Sequence, residues 1–278
     1  MSDSWVKAAR RRWFGCGLGL VALLAASLPV PVSAGAADDP TELERTWQAA
    51  WVYLPGAAHG RVLRIGELGG EMPAPSDARY PTVVYLHGCA GLNYIANETG
   101  AFLAEAGYAV IMPDSFARAD KPKSCDPVTL EAGLHRAVLG WRQAEAMHAL
   151  SSARGLSWVN GDRLFLMGLS EGAITVATVP AAGVRARIVE GWTCHAGWPE
   201  YHGLNAPADE PVLSLVGRED PWFRLPVLQG ECGAFMTPDT GSRSIVYRPP
   251  HALADDHYLS WHADARGAIL DFLNLHSR

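Results

Sequence analysis

The sequence predicts an α/β protein: a mostly parallel, doubly wound sheet with helices on both faces. Three observations carry this. Short strand signals alternate with helix signals along the chain, and the strands are apolar throughout rather than on alternate residues, as in sheets covered on both sides. The chemically distinctive residues also fall just after strands, where such sheets gather their functional groups. With 278 residues and 49% hydrophobic content the chain can bury a sizeable core. Its net charge of −6, from 23 basic and 29 acidic residues, leaves no basic footprint for a nucleic-acid partner.

The N-terminus reads as an export signal. Lys7, Arg10, Arg11 and Arg12 precede an apolar run from Trp13 to Leu28, and Val32 and Ala34 are the small residues before a cut. The run is short of the roughly 20 apolar residues a spanning helix needs. Residues 1–34 are therefore expected to be a cleaved signal peptide and residues 35–278 a single catalytic domain, periplasmic or secreted, without stable membrane association after cleavage. Losing four basic residues and Asp3 takes the net charge to −9. Cys16 leaves with the signal; Cys89, Cys125, Cys194 and Cys232 remain. Four cysteines in an oxidising compartment suggest two disulfides, with three connectivities open. No Cys-x-x-Cys pair supports a zinc ribbon or a redox motif.

Thr41 opens a first helix. A short strand is expected over residues 61–65, then a Pro/Gly-rich loop over 66–78. Buried strands follow at 82–86, which ends in His87-Gly88-Cys89-Ala90-Gly91, and at 108–112, with a helix over 99–106 between them. A long helix is expected over 129–152 and a third buried strand over 163–167. Further strands fall at 187–190, 211–216 and 244–247, and a last helix covers 263–275.

Gly168-Leu169-Ser170-Glu171-Gly172 lies between the apolar strand Leu164-Phe165-Leu166-Met167 and the helix that continues from Ala173. A Gly-x-Ser-x-Gly string alone is weak, but a strand-to-helix turn is the context of a nucleophile elbow, which holds serine in a strained conformation. Ser170 needs a base, and the base needs an orienting acid; both are expected later in the chain, acid first. Asp220, after the strand ending at Val216-Gly217, is the better acid, with Glu219 its local rival. Of ten histidines, four follow Asp220: His251, His257, His262 and His276. His251 lies just past the sixth strand and two prolines, where a loop can carry it over the sheet edge. It is favoured over His257 and then His262. The His257-x-x-x-x-His262 spacing is not that of a zincin, so neither a metal nor any other cofactor is implied. The oxyanion donors expected are the backbone N–H groups of Glu171 and of Cys89 in the turn after the first buried strand. His87 precedes the triad in the chain and is expected to be structural.

These residues resemble the dienelactone-hydrolase-like branch of the α/β-hydrolase superfamily. The similarity runs from Val83-Val84-Tyr85-Leu86-His87-Gly88, through Ala109-Val110-Ile111-Met112-Pro113-Asp114-Ser115 and the serine elbow, to Asp220, His251 and the final helix. It implies an α/β-hydrolase fold without a large lid, Ser170 as nucleophile, Asp220 as acid and His251 as base. It also places Cys89 and Cys125, and Cys194 and Cys232, in loops at the catalytic end, implying the pairs Cys89–Cys125 and Cys194–Cys232. Trp192, His195, Trp198, Trp222 and Phe223 fall on the same loops, either lining an apolar acyl or aromatic pocket or covering the core. Dienelactone hydrolases proper carry a cysteine nucleophile and are cytosolic; Ser170 and the export signal depart from both. The implied activity is hydrolysis of carboxylic esters or lactones of a small-molecule substrate, without a cofactor. A non-catalytic binding protein of this fold, or an enzyme for amides or polyesters, is the alternative. Nothing in the sequence speaks to oligomeric state.

Overall fold

The computed structural model describes residues 37–56, 62–68, 79–120 and 123–278; the expected signal segment lies outside them. Helix α1 (Pro40–Gln48) starts at Asp39, whose side chain accepts from the Thr41 N–H at 2.8 Å, and Pro40 takes the first helical position. Strands β1 (Trp51–Tyr53) and β2 (Leu63–Arg64) and the single turn α2 (Ile65–Leu68) follow. Then come β3 (Tyr80–Leu86), α3 (Tyr94–Glu105), β4 (Ala109–Met112), the small hairpin β5 (Cys125–Asp126) and β6 (Glu131–Ala132), and α4 (Val138–Arg154). The remainder is β7 (Val159–Leu169), α5 (Glu171–Thr178), β8 (Arg187–Glu190), β9 (Val212–Gly217), β10 (Arg243–Tyr247) and α6 (Ala263–His276).

The main sheet has eight strands in the order β10-β9-β8-β7-β3-β4-β1-β2. From β10 to β4 every neighbouring pair is parallel; β1 runs antiparallel to β4, and β2 antiparallel to β1. Successive strand residues feed opposite faces. Val84, Leu86, Leu164 and Leu166 pack with Trp47 of α1, Leu150 of α4 and Val176 of α5. Val83, Tyr85, Phe165 and Met167 pack with Phe102 of α3 and Phe272 of α6. This double covering is why the central strands read as unbroken apolar runs.

Besides β1, which the sequence reading does not include, three elements differ from it. The helix expected from 129 begins only at Val138, because Asp126 Oδ1 accepts from the Val128 N–H at 2.9 Å and turns the chain into the β5–β6 hairpin. Gly133, at φ 72°, then redirects it beside the ring of Trp198. Strand 61–65 shrinks to Leu63–Arg64, with Ile65 already helical. Helix α3 starts five residues early, because Asn93 caps it by accepting from the Ile95 N–H at 2.9 Å.

Candidate active site

The parallel strands all end on one side, and the candidate residues collect there. Ser170 sits between β7 and α5 with φ 57° and ψ −118°, a sparsely populated positive-φ conformation that costs a residue with a Cβ on the order of 1–3 kcal/mol. Its neighbours enforce the bend. A Cβ on Gly168 would lie 2.4 Å from the Gly172 carbonyl oxygen, and one on Gly172 would lie 2.0 Å from the Leu86 carbonyl oxygen. Only glycine at both positions lets α5 approach β7 and β3 closely enough. The Ser170 N–H donates to the Glu190 carbonyl at 2.9 Å, fixing the elbow to β8.

Asp220 follows β9 and is buried, while its rival Glu219 faces solvent. Asp220 Oδ1 accepts from the Trp222 N–H at 2.9 Å, and Oδ2 lies 2.6 Å from His257 Nδ1. With the proton assigned to Nδ1, His257 donates to the carboxylate, a charge-assisted bond between two buried side chains. The imidazole stacks on Trp222, ring centroids 5.4 Å apart at 30°, and meets Phe223 and Tyr258 at 5.8 and 5.3 Å. Its other nitrogen, Nε2, is buried without a hydrogen-bond partner among the described residues. Ser170 and His257 line the same cavities.

His251, the base favoured from sequence, is not brought to Asp220. Its Nε2 lies 3.2 Å from Asp264 Oδ2, its Nδ1 accepts from the Leu253 N–H at 3.1 Å, and its ring tilts over Tyr247 at an exposed position. The path of the chain explains the difference. His251 closes a turn directly after β10, its N–H donating to the Arg248 carbonyl at 2.9 Å. The chain then crosses the end of β9: the Glu219 N–H donates to the Ala254 carbonyl at 2.7 Å, and a Cβ on Gly217 would lie 2.7–2.8 Å from the carbonyl oxygens of Leu253, Ala254 and Asp256. Six further residues are needed to reach Asp220, so the loop delivers His257 there. His262 pairs with Asp256 at 3.0 Å.

The turn after β3 packs on the elbow, for a Cβ on Gly88 would be 3.5 Å from Ser170 Cβ. Cys89 therefore borders the cavity beside Ser170, and Glu171 follows Ser170 at the start of α5. Cys89 is bonded to Cys125, and Cys194 to Cys232, the two pairs implied by the resemblance. The turn is held from behind by charges that sequence reasoning missed. Arg142 of α4, buried, donates from Nη2 to the His87 carbonyl at 2.7 Å and places Nη1 3.6 Å from Glu171 Oε1. With its proton assigned to Nδ1, His87 donates to the Gly88 carbonyl at 2.7 Å and accepts at Nε2 from the Ser115 N–H at 3.3 Å. Glu145, one turn along α4, bonds Ser115 and Arg118. The available signal was Arg142 and Glu145, two charges three residues apart in a helix otherwise poor in charge; whether they turn inward depends on the tertiary partner.

Glu190, the last residue of β8, is also buried. Burial, the dominant cause, pushes its carboxyl up to about 7 against the opposing N–H of Ser260, which donates to Oε1 at 2.7 Å. Among the described residues no group of three His, Cys, Asp or Glu side chains is placed to hold a metal ion.

A cleft of about 590 Å³ opens beside Ser170 and His257, within the size range of small-molecule sites. Trp192, Trp198, Trp222 and Phe223 line it, whereas His195 turns away and packs against Phe235 at 5.0 Å.

No curated protein matches the chain. Among solved structures it resembles a dienelactone hydrolase-like promiscuous phosphotriesterase from metagenomic libraries, at 20% identity over 72% of this chain and 87% of that one, TM-score 0.51. It also resembles Est1E from Butyrivibrio proteoclasticus with ferulic acid bound, at 14% over 82% and 94%, TM-score 0.52. A third is TT1662 from Thermus thermophilus, at 17% over 73% and 91%, TM-score 0.51. At such identities the likeness is one of fold, that of the α/β-hydrolases. The family model for dienelactone hydrolases matches residues 68–236, from the turn before β3 to the loop after Cys232, and so takes in the elbow, Asp220 and both disulfides: the chain belongs to the dienelactone hydrolase family.

Proposed function

We propose that this chain is an exported serine hydrolase that cleaves carboxylic esters or lactones of small molecules through an acyl-enzyme. The observation that carries the reading is the buried Asp220–His257 pair: Nε2 of His257 has no partner among the described residues, and the residue lines the same cavities as a serine on a strained strand-to-helix turn. Ser170 Oγ attacks the substrate carbonyl carbon and its proton passes to His257 Nε2; Nδ1–H keeps donating to the Asp220 carboxylate, which stabilises the imidazolium. The backbone N–H groups of Cys89 and Glu171 receive the developing oxyanion. Collapse of the intermediate breaks the C–O bond, and His257 returns its proton to the departing alkoxide. Water then repeats the sequence on the acyl-enzyme, releasing the carboxylic acid and restoring Ser170. Residues 1–34 serve as the export signal. The two disulfides support this placement, because such bonds persist in oxidising compartments.

A fluorophosphonate probe tests the reading. The wild type is expected to be labelled stoichiometrically and Ser170→Ala, with unchanged circular dichroism, not at all. An unlabelled wild type, as a non-catalytic binding protein of this fold would be, or labelling that survives the substitution, contradicts it.

A further inference from the structure

We propose that the site selects neutral esters of asymmetric shape, with a large apolar group on one side of the carbonyl and a group of only a few heavy atoms on the other. This rests on Ser170 being the nucleophile. Two recesses meet at that serine, and Cys89, Ser170, Trp222 and His257 form the shared wall between them. A carbonyl placed at Ser170 therefore sends one substituent into each.

The recess toward α3 is small, about 30 Å³, and is lined by Tyr85, Gly91, Ile95, Ala96 and Tyr258. It cannot readily grow. Tyr85 belongs to the buried β3, Ala96 is buried in α3, and a Cβ on Gly91 would lie 2.5 Å from the Phe116 ring. Close-packed walls of this kind reject added volume. The opposite recess is the much larger cleft of about 590 Å³. Its aromatic walls are fixed in advance: Trp192 meets Phe223 edge-on at 5.7 Å, Trp198 meets Tyr201 at 5.4 Å with the Arg136 guanidinium 5.0 Å over the Trp198 ring, and the Cys194–Cys232 bond ties the two contributing loops. Preorganised walls bind an apolar group without the cost of ordering them. The cleft also opens onto an apolar rim, where Trp198, Leu225 and Val227 are 37, 62 and 51% exposed.

Charge sets the remaining preference. The charged side chains lining the large cleft are Glu131, Glu171 and Arg224. Arg142 already pairs with Glu171, and Arg224 is solvent-exposed. A substrate carboxylate in this cleft would meet the Glu131 carboxylate, a Glu171 whose cation is already engaged, and one solvent-screened guanidinium, so no cation is free and desolvated to receive it and a neutral group is favoured.

Four esters of alkyl alcohols test the shape at matched leaving-group reactivity: methyl acetate, 2-naphthylmethyl acetate, methyl 2-naphthylacetate and 2-naphthylmethyl 2-naphthylacetate, with kcat/KM followed by pH-stat on the disulfide-bonded protein. One of the two asymmetric esters is expected to exceed both the doubly small and the doubly bulky ester at least tenfold; which one it is assigns the large cleft to the acyl or the alcohol side. Adding a carboxylate to the naphthalene ring of that ester is expected to lower kcat/KM at least tenfold. Ile95→Ala, which enlarges the small recess, is expected to raise turnover of the doubly bulky ester relative to the asymmetric one. A doubly bulky ester turned over within threefold of the best, methyl acetate as the best substrate, or equal turnover of the carboxylated ester overturns the inference. So does turnover of none of the four, and fluorophosphonate labelling of Ser170 then tells whether the catalytic reading falls with it.

Discussion

His257 and His251 are six residues apart, yet one lies buried between an aspartate and three aromatic rings while the other faces solvent beside Asp264. On the proposed reading, that contrast separates a general base from a surface histidine. A ring held at Nδ1 by a buried carboxylate has a fixed tautomer and orientation, leaving Nε2 to exchange protons with the serine. Replacing Asp220 with Asn keeps the shape but favours the wrong tautomer, so kcat for an activated ester should fall by about 10³–10⁴-fold with the melting temperature little changed; a loss below tenfold would argue against the relay. The places of Ser170 and Asp220 at strand ends were legible, because each stands directly after an apolar run that the sequence displays. The histidine was not. Its choice depends on residues 253–256 crossing the end of β9 against Gly217, a long-range contact that no local pattern announces.

At the level of elements, α4 reaches behind the catalytic turn. Arg142 bonds the His87 carbonyl and faces the Glu171 carboxylate, and so it positions the segments that carry both expected oxyanion donors. Arg142→Met should lower kcat ten- to a hundredfold while KM stays within about twofold, and Arg142→Lys, which can keep the bond to the His87 carbonyl, should recover part of the loss. Equal changes in kcat and KM, or no recovery, would make the residue merely structural. The disulfides act on loops in the same region. Each spans 36 or 38 residues, a loop whose closure restricts the unfolded chain by about 3–4 kcal/mol in the chain-entropy model. The Cys194→Ser/Cys232→Ser double variant should therefore lose stability of that order in urea unfolding, and unchanged stability would contradict the model. The strands and most helices were readable from their apolar runs, whereas the late start of α4 was not. Asp126 and Gly133 create a hairpin inside what reads as one helix, and Cys125 is anchored to Cys89 across 36 residues.

Across the whole molecule, the sheet is covered on both faces and Glu190 is sealed beneath the catalytic edge. The folded protein holds this carboxyl's proton up to about pH 7, while the unfolded chain releases it near the ordinary value of 4.5. The native state thus binds more protons between those limits, and stability should fall as pH rises from about 4.5 to about 7, then level off. Glu190→Gln should remove that decline, worth on the order of 3 kcal/mol by pH 8; parallel stability–pH curves for the two proteins would contradict it. The double covering was visible in the apolar strands, but a buried glutamate at a strand end reads in sequence as an ordinary polar terminus. The fold's purpose, on this account, is to bring residues 170, 220 and 257 to one cavity. Hydrolysis of p-nitrophenyl acetate by His257→Ala and His251→Ala, measured side by side on folded protein, tests this most directly. The account predicts a kcat at least 10³-fold below wild type for His257→Ala and within threefold of it for His251→Ala; the reverse order, or equal losses, would contradict it.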